Sequence, residues 1–189
     1  MVVFDATTLL LLLAPDAGAP RDSNGNPVSF AKERIDGLVA DLSKRKVKII
    51  IPTPALSEPL VRAGAVAGEA YLARLKKSGW FKIESFDERA AIEVAEMTRS
   101  SIDRGDKKDG SDATWAKVKY DRQIVAIAKV NSASAIYSDD INLTSFAKRA
   151  GLHVINVAEL NVPDDSLQMD LLSQPAEQRY SSADKREDN

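Results

Sequence analysis

The sequence predicts an α/β fold with three α/β/α layers and a mostly parallel central sheet. Two observations predict it. Short apolar runs suited to core strands recur along the chain (Val2-Val3-Phe4, Ile49-Ile50-Ile51, Ala135-Ile136-Tyr137), and segments of helical character separate them. A third observation bears on what the fold carries. Three such runs lead into carboxylates, at Asp5, Glu58 and Asp139-Asp140, and a further acid, Asp121, falls inside a helical pattern.

In chain order, Val2–Phe4 reads as the first strand and Thr7–Leu13 as a short helix. Residues 14–29 are rich in Pro, Gly, Asp and Asn and read as a long loop. From Phe30 to Lys46, Ile35, Leu38, Val39 and Leu42 share one helical face. Val47–Ile51 is the second strand, and Thr53-Pro54 opens a helix with Thr as cap and Pro in the first turn. A separate helix is expected over Gly68–Ser78, then a strand over Trp80–Phe86 and a helix capped by Asp87 and reaching Asp103. Arg104–Asp112 is charged, contains Gly, and reads as a mobile loop. Thr114–Val130 is helical, Ala133–Tyr137 a strand, Thr144–Arg149 a short helix and His153–Val157 the last strand. The predicted domain spans residues 1–162. Residues 163–189 are polar and read as a disordered tail.

Composition narrows the chemistry. The 189 residues contain no Cys and one His, His153. Thiol nucleophiles, Cys-held metals and multi-His metal sites are therefore excluded, and any metal must be held by oxygen, which favours Mg²⁺ or Mn²⁺. The apolar run Leu9–Leu13 is too short to span a bilayer and lacks a basic leader, so a cytoplasmic protein without membrane attachment is expected. The net charge is −2. From Asp164 onward seven acids face three bases, which leaves the body of the chain at +2, a charge compatible with phosphate binding.

The acids stand out because carboxylates are rarely buried without partners. In a parallel sheet, sites form beyond the carboxyl ends of the strands, where Asp5 and Asp139-Asp140 are expected. Asp121 lies on the stripe Val118, Asp121, Ile124, Val125, Ala128, the apolar face of its helix. Its neighbours Lys119 and Arg122 project from other faces, so neither is placed to pair with it. Plainer roles exist for each acid: Asp5 and Asp139-Asp140 as helix caps, and Glu58 as an acid at the positive end of a helix dipole. Pro59 disfavours a helical conformation at Glu58. Brought together, the acids would repel one another unless a divalent cation joined them, which points to a metal-dependent hydrolase.

The ordered set resembles the PIN-domain family, as found in VapC-type toxins and related nucleases. The correspondence runs through Val3-Phe4-Asp5-Ala6-Thr7, Pro54-Ala55-Leu56-Ser57-Glu58, Asp121-Arg122-Gln123-Ile124-Val125-Ala126, and Ile136-Tyr137-Ser138-Asp139-Asp140, covering roughly residues 1 to 157. The resemblance implies an endoribonuclease that hydrolyses RNA phosphodiester bonds with Mg²⁺ or Mn²⁺. It implies Asp5, Glu58, Asp121 and Asp140 as the acids that hold the metal, with Asp139 the alternative fourth acid. Thr7 and Ser138 would be hydroxyls that orient the carboxylates. Lys107, Lys108, Lys117, Lys119 and Arg122 cluster near Asp121 and are candidate contacts to substrate phosphates. Proteins of this kind act as toxins paired with an antitoxin, and homodimers are common among them, so both are candidate partners. Thr7 stands where Ser or Asn is commoner, and the loops and tail exceed those of a compact toxin.

Two other readings compete. One is a catalytically weak PIN-like module that binds nucleic acid or acts as a scaffold. The other is a phosphatase similar to the haloacid-dehalogenase group with Asp5 as nucleophile. That group usually carries a second Asp two residues on, where Thr7 stands here, and it gives no role to Glu58 or Asp121.

Overall fold

The computed structural model describes residues 1–14 and 16–163. The expected tail lies outside the described residues, save Pro163. Five strands form one parallel sheet: β1 (Val2–Phe4), β2 (Ile49–Pro52), β3 (Phe81–Glu84), β4 (Ala135–Tyr137) and β5 (His153–Ile155), in the spatial order β3-β2-β1-β4-β5. β1 lies between β2 and β4, with Val2 opposite Ile49 and Ala135, and Val3 opposite Ile50 and Ile136. The helices are α1 (Ala6–Leu13), α2 (Ala31–Lys44), α3 (Thr53–Lys77), α4 (Glu88–Asp103), α5 (Trp115–Val130) and α6 (Ile141–Arg149), followed by a 3₁₀ turn at Val157–Glu159. The α/β/α architecture expected from the sequence is the one observed. No helix among the described residues is long and apolar enough to cross a membrane.

Each strand alternates its side chains between two cores, as the pleat requires. Val2, Phe4, Ile49, Ile51 and Tyr137 face the layer that includes α1 and α2, where they meet Leu9, Leu12, Ile35 and Leu42. Val3, Ile50, Ile136 and Val154 face the other layer, where they meet Val118, Val125 and Ile127 of α5 and Phe146 of α6. Both sheet faces are covered, which explains why the strands read as continuous apolar runs.

The strand order reverses between β1 and β4. In open parallel sheets such a switch point leaves a crevice beyond the carboxyl ends of the two flanking strands. β1 runs into Asp5 there, and β4 runs into Ser138, Asp139 and Asp140.

Three expectations require correction. The two helices expected after β2 are both present within α3, but the first runs through Pro59 and meets the second at a kink at Gly64, with φ +71° and ψ −179°, rather than near Gly68, and Thr53 makes no side-chain cap bond. Residues 20–28 contain a hairpin-like turn: Arg21 bridges Pro27, and Asp22 Oδ1 accepts the N–H groups of Asn24 and Asn26. The segment after α4 is tied down by its own acids. Asp106 accepts the N–H groups of Lys108 and Gly110, and Asp109 pairs with Arg104 at 2.8 Å and Arg149 at 2.7 Å.

Candidate active site

Asp5 follows β1 and caps α1: its Oδ1 accepts the N–H of Thr8 at 2.8 Å. Its Oδ2 accepts the hydroxyl of Ser138 at 2.5 Å. Ser138 Oγ in turn accepts the N–H of Asp140 at 3.1 Å, so one hydroxyl joins the ends of β1 and β4. Thr8 donates its own hydroxyl to the Tyr137 carbonyl at 2.9 Å and closes the seam from the other side. Asp5 is only 2% exposed. Burial pushes its carboxyl up to about 6, against the opposing hydrogen bonds from Ser138 and Thr8.

Asp140 caps α6 in the same manner, with Oδ1 accepting the N–H of Leu143 at 2.9 Å. Its Oδ2 is left for Lys117 Nζ, at 2.7 Å. The same ammonium lies 2.6 Å from Asp121 Oδ1. The cap roles that the sequence allows for Asp5 and Asp140 are therefore real, and they are compatible with a site, because each cap uses one oxygen and leaves the other to face inward.

The partner of Asp121 is neither Lys119 nor Arg122 but Lys117, which stands four residues before it, where side chains of one helix do meet. Its ammonium neutralises two of the four acids expected to share a divalent ion. Asp121 itself is 1% exposed, as its place on the apolar stripe implies. Burial pushes its carboxyl up to about 6, and Lys117 only partly offsets this. Asp140 shares the same lysine but moves the other way. Burial raises it too, but Lys117 and the N–H of Leu143 outweigh that and hold it below the usual carboxylate range. The difference follows from position, since Asp140 keeps contact with solvent and has a second donor. Lys117 is held above its ordinary value by the two carboxylates, against burial.

One oxygen of this group remains without a partner among the described residues: Asp121 Oδ2 is buried and accepts no hydrogen bond from them. Asp139 Oδ1 accepts the N–H of Val157 at 3.1 Å, and its Oδ2 is buried without a partner among the described residues. Burial raises its carboxyl.

The remaining expected residues fall into place less closely. Glu58 is half exposed on α3, and among the described residues its one ion pair is with Arg62, at 2.7 Å. A residue one helical turn on thus engages its carboxylate. Thr7 lines the cavity beside Asp139 and Asp140, whereas its neighbour Thr8 makes the bonds to β1 and β4. Arg122 is corrected as a phosphate contact. Its side chain is 1% exposed and its guanidinium donates to Thr98, Ser101 and the Lys107 carbonyl, beneath the rings of Trp115 and Phe146. Lys107 lies over Trp115 with its ammonium 4.0 Å from the ring centre, and Lys108 donates to the Ala113 carbonyl. Lys119 is exposed on α5.

A cavity of about 870 Å³ opens over the strand ends. Thr7, Asp139, Asp140 and Ile141 line one side, and Arg21, Asp22 and Ser23 of the hairpin line another. Among the described residues no three acid or histidine side chains stand close enough to cage a metal ion. The donor set still suits a hydrated one. Mg²⁺ keeps several waters and needs only one or two carboxylates, and here Asp121 and Asp140 converge on a single cation while Asp121 Oδ2 lacks a partner among the described residues. Asp5 fits poorly as a covalent nucleophile, since both its oxygens are already hydrogen-bonded inside the protein.

The fold is similar to that of solved VapBC structures. Two solved structures carry the comparison. The DNA-bound VapBC complex from Salmonella typhimurium matches with a TM-score of 0.53 and 16% identity, over 82% of this chain and 97% of the other. VapBC2 from Rickettsia felis, bound to a DNA fragment from its promoter, matches with a TM-score of 0.51 and 15% identity, over 82% of this chain and 98% of the other. No family model and no curated protein matches the sequence.

Proposed function

We propose that the chain is a nuclease that hydrolyses RNA phosphodiester bonds with Mg²⁺ or Mn²⁺ at the crevice between β1 and β4. The observation that carries the proposal is the convergence of Asp121 and Asp140 on one cationic centre, beside the buried Asp5 and at the switch point of a PIN-type sheet. Asp121 and Asp140 would hold the ion. When bound, it would supply charge neutralisation to the phosphate and acidity to the attacking water.

The chain's own residues prepare for this. Asp5, through Ser138, fixes the main chain at Asp140 and so aims the Asp140 carboxylate. Asp121 is held by the buried stripe of α5 and cannot turn to solvent. The hairpin at residues 20–28 and the start of α6 wall the cavity of about 870 Å³ beside these carboxylates. An antitoxin partner follows by analogy with the VapBC complexes, whose own chains are paired and DNA-bound.

The test is cleavage of an RNA oligonucleotide in Mg²⁺ or Mn²⁺. Asp121→Asn and Asp5→Asn should each abolish it while near-UV circular dichroism stays unchanged. Activity retained in both variants would remove the proposal. A second reading, a PIN-like module that binds RNA without cutting it, is favoured by two observations: Lys117 already neutralises Asp121 and Asp140, and Glu58 is already paired with Arg62. Tight RNA binding with no cleavage in Mn²⁺ would select it.

A further inference from the structure

We propose that Lys117 is a tethered counter-ion that competes with the divalent cation for Asp121 and Asp140, so that lysine docking and metal binding exclude one another. The inference rests on the reading that these carboxylates take up a cation. Its own basis is the asymmetry of the three side chains.

Asp121 is fixed, with a side chain 2% exposed, whereas the Lys117 side chain is 45% exposed and hangs on a flexible four-carbon stem. The lysine can swing to solvent, and the aspartate cannot follow it. Lys117 stands in the first turn of α5, where Thr114 Oγ accepts its main-chain N–H at 3.3 Å, so its backbone is pinned while its head is free to leave. At 2.6 and 2.7 Å its ammonium occupies the space that both carboxylates face. A dication placed there would meet a positive charge at van der Waals range, where repulsion is strong in a partly buried site.

Two consequences follow. The metal-free protein avoids the repulsion of paired acids, because it carries its own cation. The metal then binds only by displacing that cation, and its apparent affinity is lowered by whatever the two ion pairs are worth.

The experiment is calorimetric titration of the full chain with Mn²⁺ alone at pH 8, where the acids are ionised, with no RNA present. Lys117→Met should bind Mn²⁺ about tenfold more tightly than the parent protein, the equivalent of about 1.4 kcal/mol. Lys117→Arg should bind no more tightly than the parent, since a guanidinium fork can hold both carboxylates. Unchanged or weaker binding by folded Lys117→Met overturns the proposal. Should that variant not fold, the parent protein decides by ¹⁵N NMR of its lysine ammonium groups. One ammonium shielded from solvent exchange must lose its shielding as Mg²⁺ saturates the site, and an ammonium that stays shielded overturns the proposal. Failure of Mn²⁺ to bind any of the three proteins overturns it together with the metal-dependent reading. The expected binding pattern without RNA cleavage upholds the role of Lys117 and removes only the nuclease activity.

Discussion

Asp121 and Arg122 are adjacent in the chain, opposite in charge and equally buried, and they do not pair with each other. Consecutive residues on a helix point about 100° apart, so the two side chains serve different neighbourhoods. Asp121 turns to Lys117 and Asp140 at the mouth of the crevice. Arg122 turns to α4 and to the segment beyond it, where it meets Thr98, Ser101 and the carbonyl of Lys107, with the Asp109 carboxylate 3.8 Å away. One helix thus anchors the acid of the candidate site on one side and fastens the 104–114 segment on the other.

Arg122→Met should therefore destabilise the protein without touching the site. Removing one member of a buried charged network leaves its partners unsatisfied, at a cost of about 3 kcal/mol or more. The measurement is urea unfolding of both proteins, accompanied by Mn²⁺ titration. The expected result is a lower midpoint with unchanged metal affinity. A loss below about 1 kcal/mol would mean that the stacking of Trp115 and Phe146 on an apolar side chain replaces the network in full.

Asp5 gives the protein a pH dependence whose sign can be worked out. An unfolded Asp titrates at about 3.8, whereas burial sets Asp5 at about 6 in the fold. Between those values the folded chain holds a proton that the unfolded chain has lost, so stability falls as pH rises through this window. Well below the unfolded value, at about pH 3 and lower, both states are protonated and the difference vanishes. At one pH unit per about 1.4 kcal/mol, the burden at pH 7 is of order 3 kcal/mol. Asp5→Asn removes the ionisable group, and its amide can still accept from Thr8 N–H and donate to Ser138. The variant should be more stable than the parent at pH 8, with the gap closing toward about pH 3, as read by urea unfolding at several pH values. A gap independent of pH would contradict this account. The same variant should be catalytically dead, so stability and activity move in opposite directions at one residue, as expected of a strained functional site.

The architecture was legible because the strands are short, apolar and separated by helical segments, of which α1, α4, α5 and α6 carry side-chain caps. The burial of Asp121 was legible for a related reason, since an acid on a stripe of Val, Ile and Ala has nowhere else to go. The identity of its partner was not read, although Lys117 sits at the helical spacing that allows it. The charge of a lysine near a helix start looks like ordinary solvated surface until tertiary structure brings Asp140 to the same point. Glu58 is a different case. Its position after β2 suits the expected set, but its orientation depends on the course of α3 and on Arg62, and no strand-end pattern specifies either. Thr7 and Thr8 differ by one residue, about 100° of helix, and only the capping geometry of Asp5 decides which of them meets β4.

The break in α3 yields the last prediction. Gly64 adopts φ +71° and ψ −179°, a region essentially closed to residues with a Cβ. The residue before the break belongs to the half that follows β2 and carries Glu58. The half after it carries Tyr71, Leu72 and Leu75, which pack on the α1–α2 layer. An added Cβ at Gly64 would meet no heavy atom within 4 Å, so Gly64→Ala tests backbone conformation free of any clash. The substitution should cost about 1–3 kcal/mol, the usual size of such strain, seen as a lower thermal midpoint. A neutral or stabilising outcome would mean that the chain recovers the helix across position 64. The two halves would then re-aim, Tyr71 and Leu75 would shift against α1, and hydrogen-exchange protection would rise through residues 61–68. A plain loss of stability with unchanged protection keeps the kink as a fixed property of the fold.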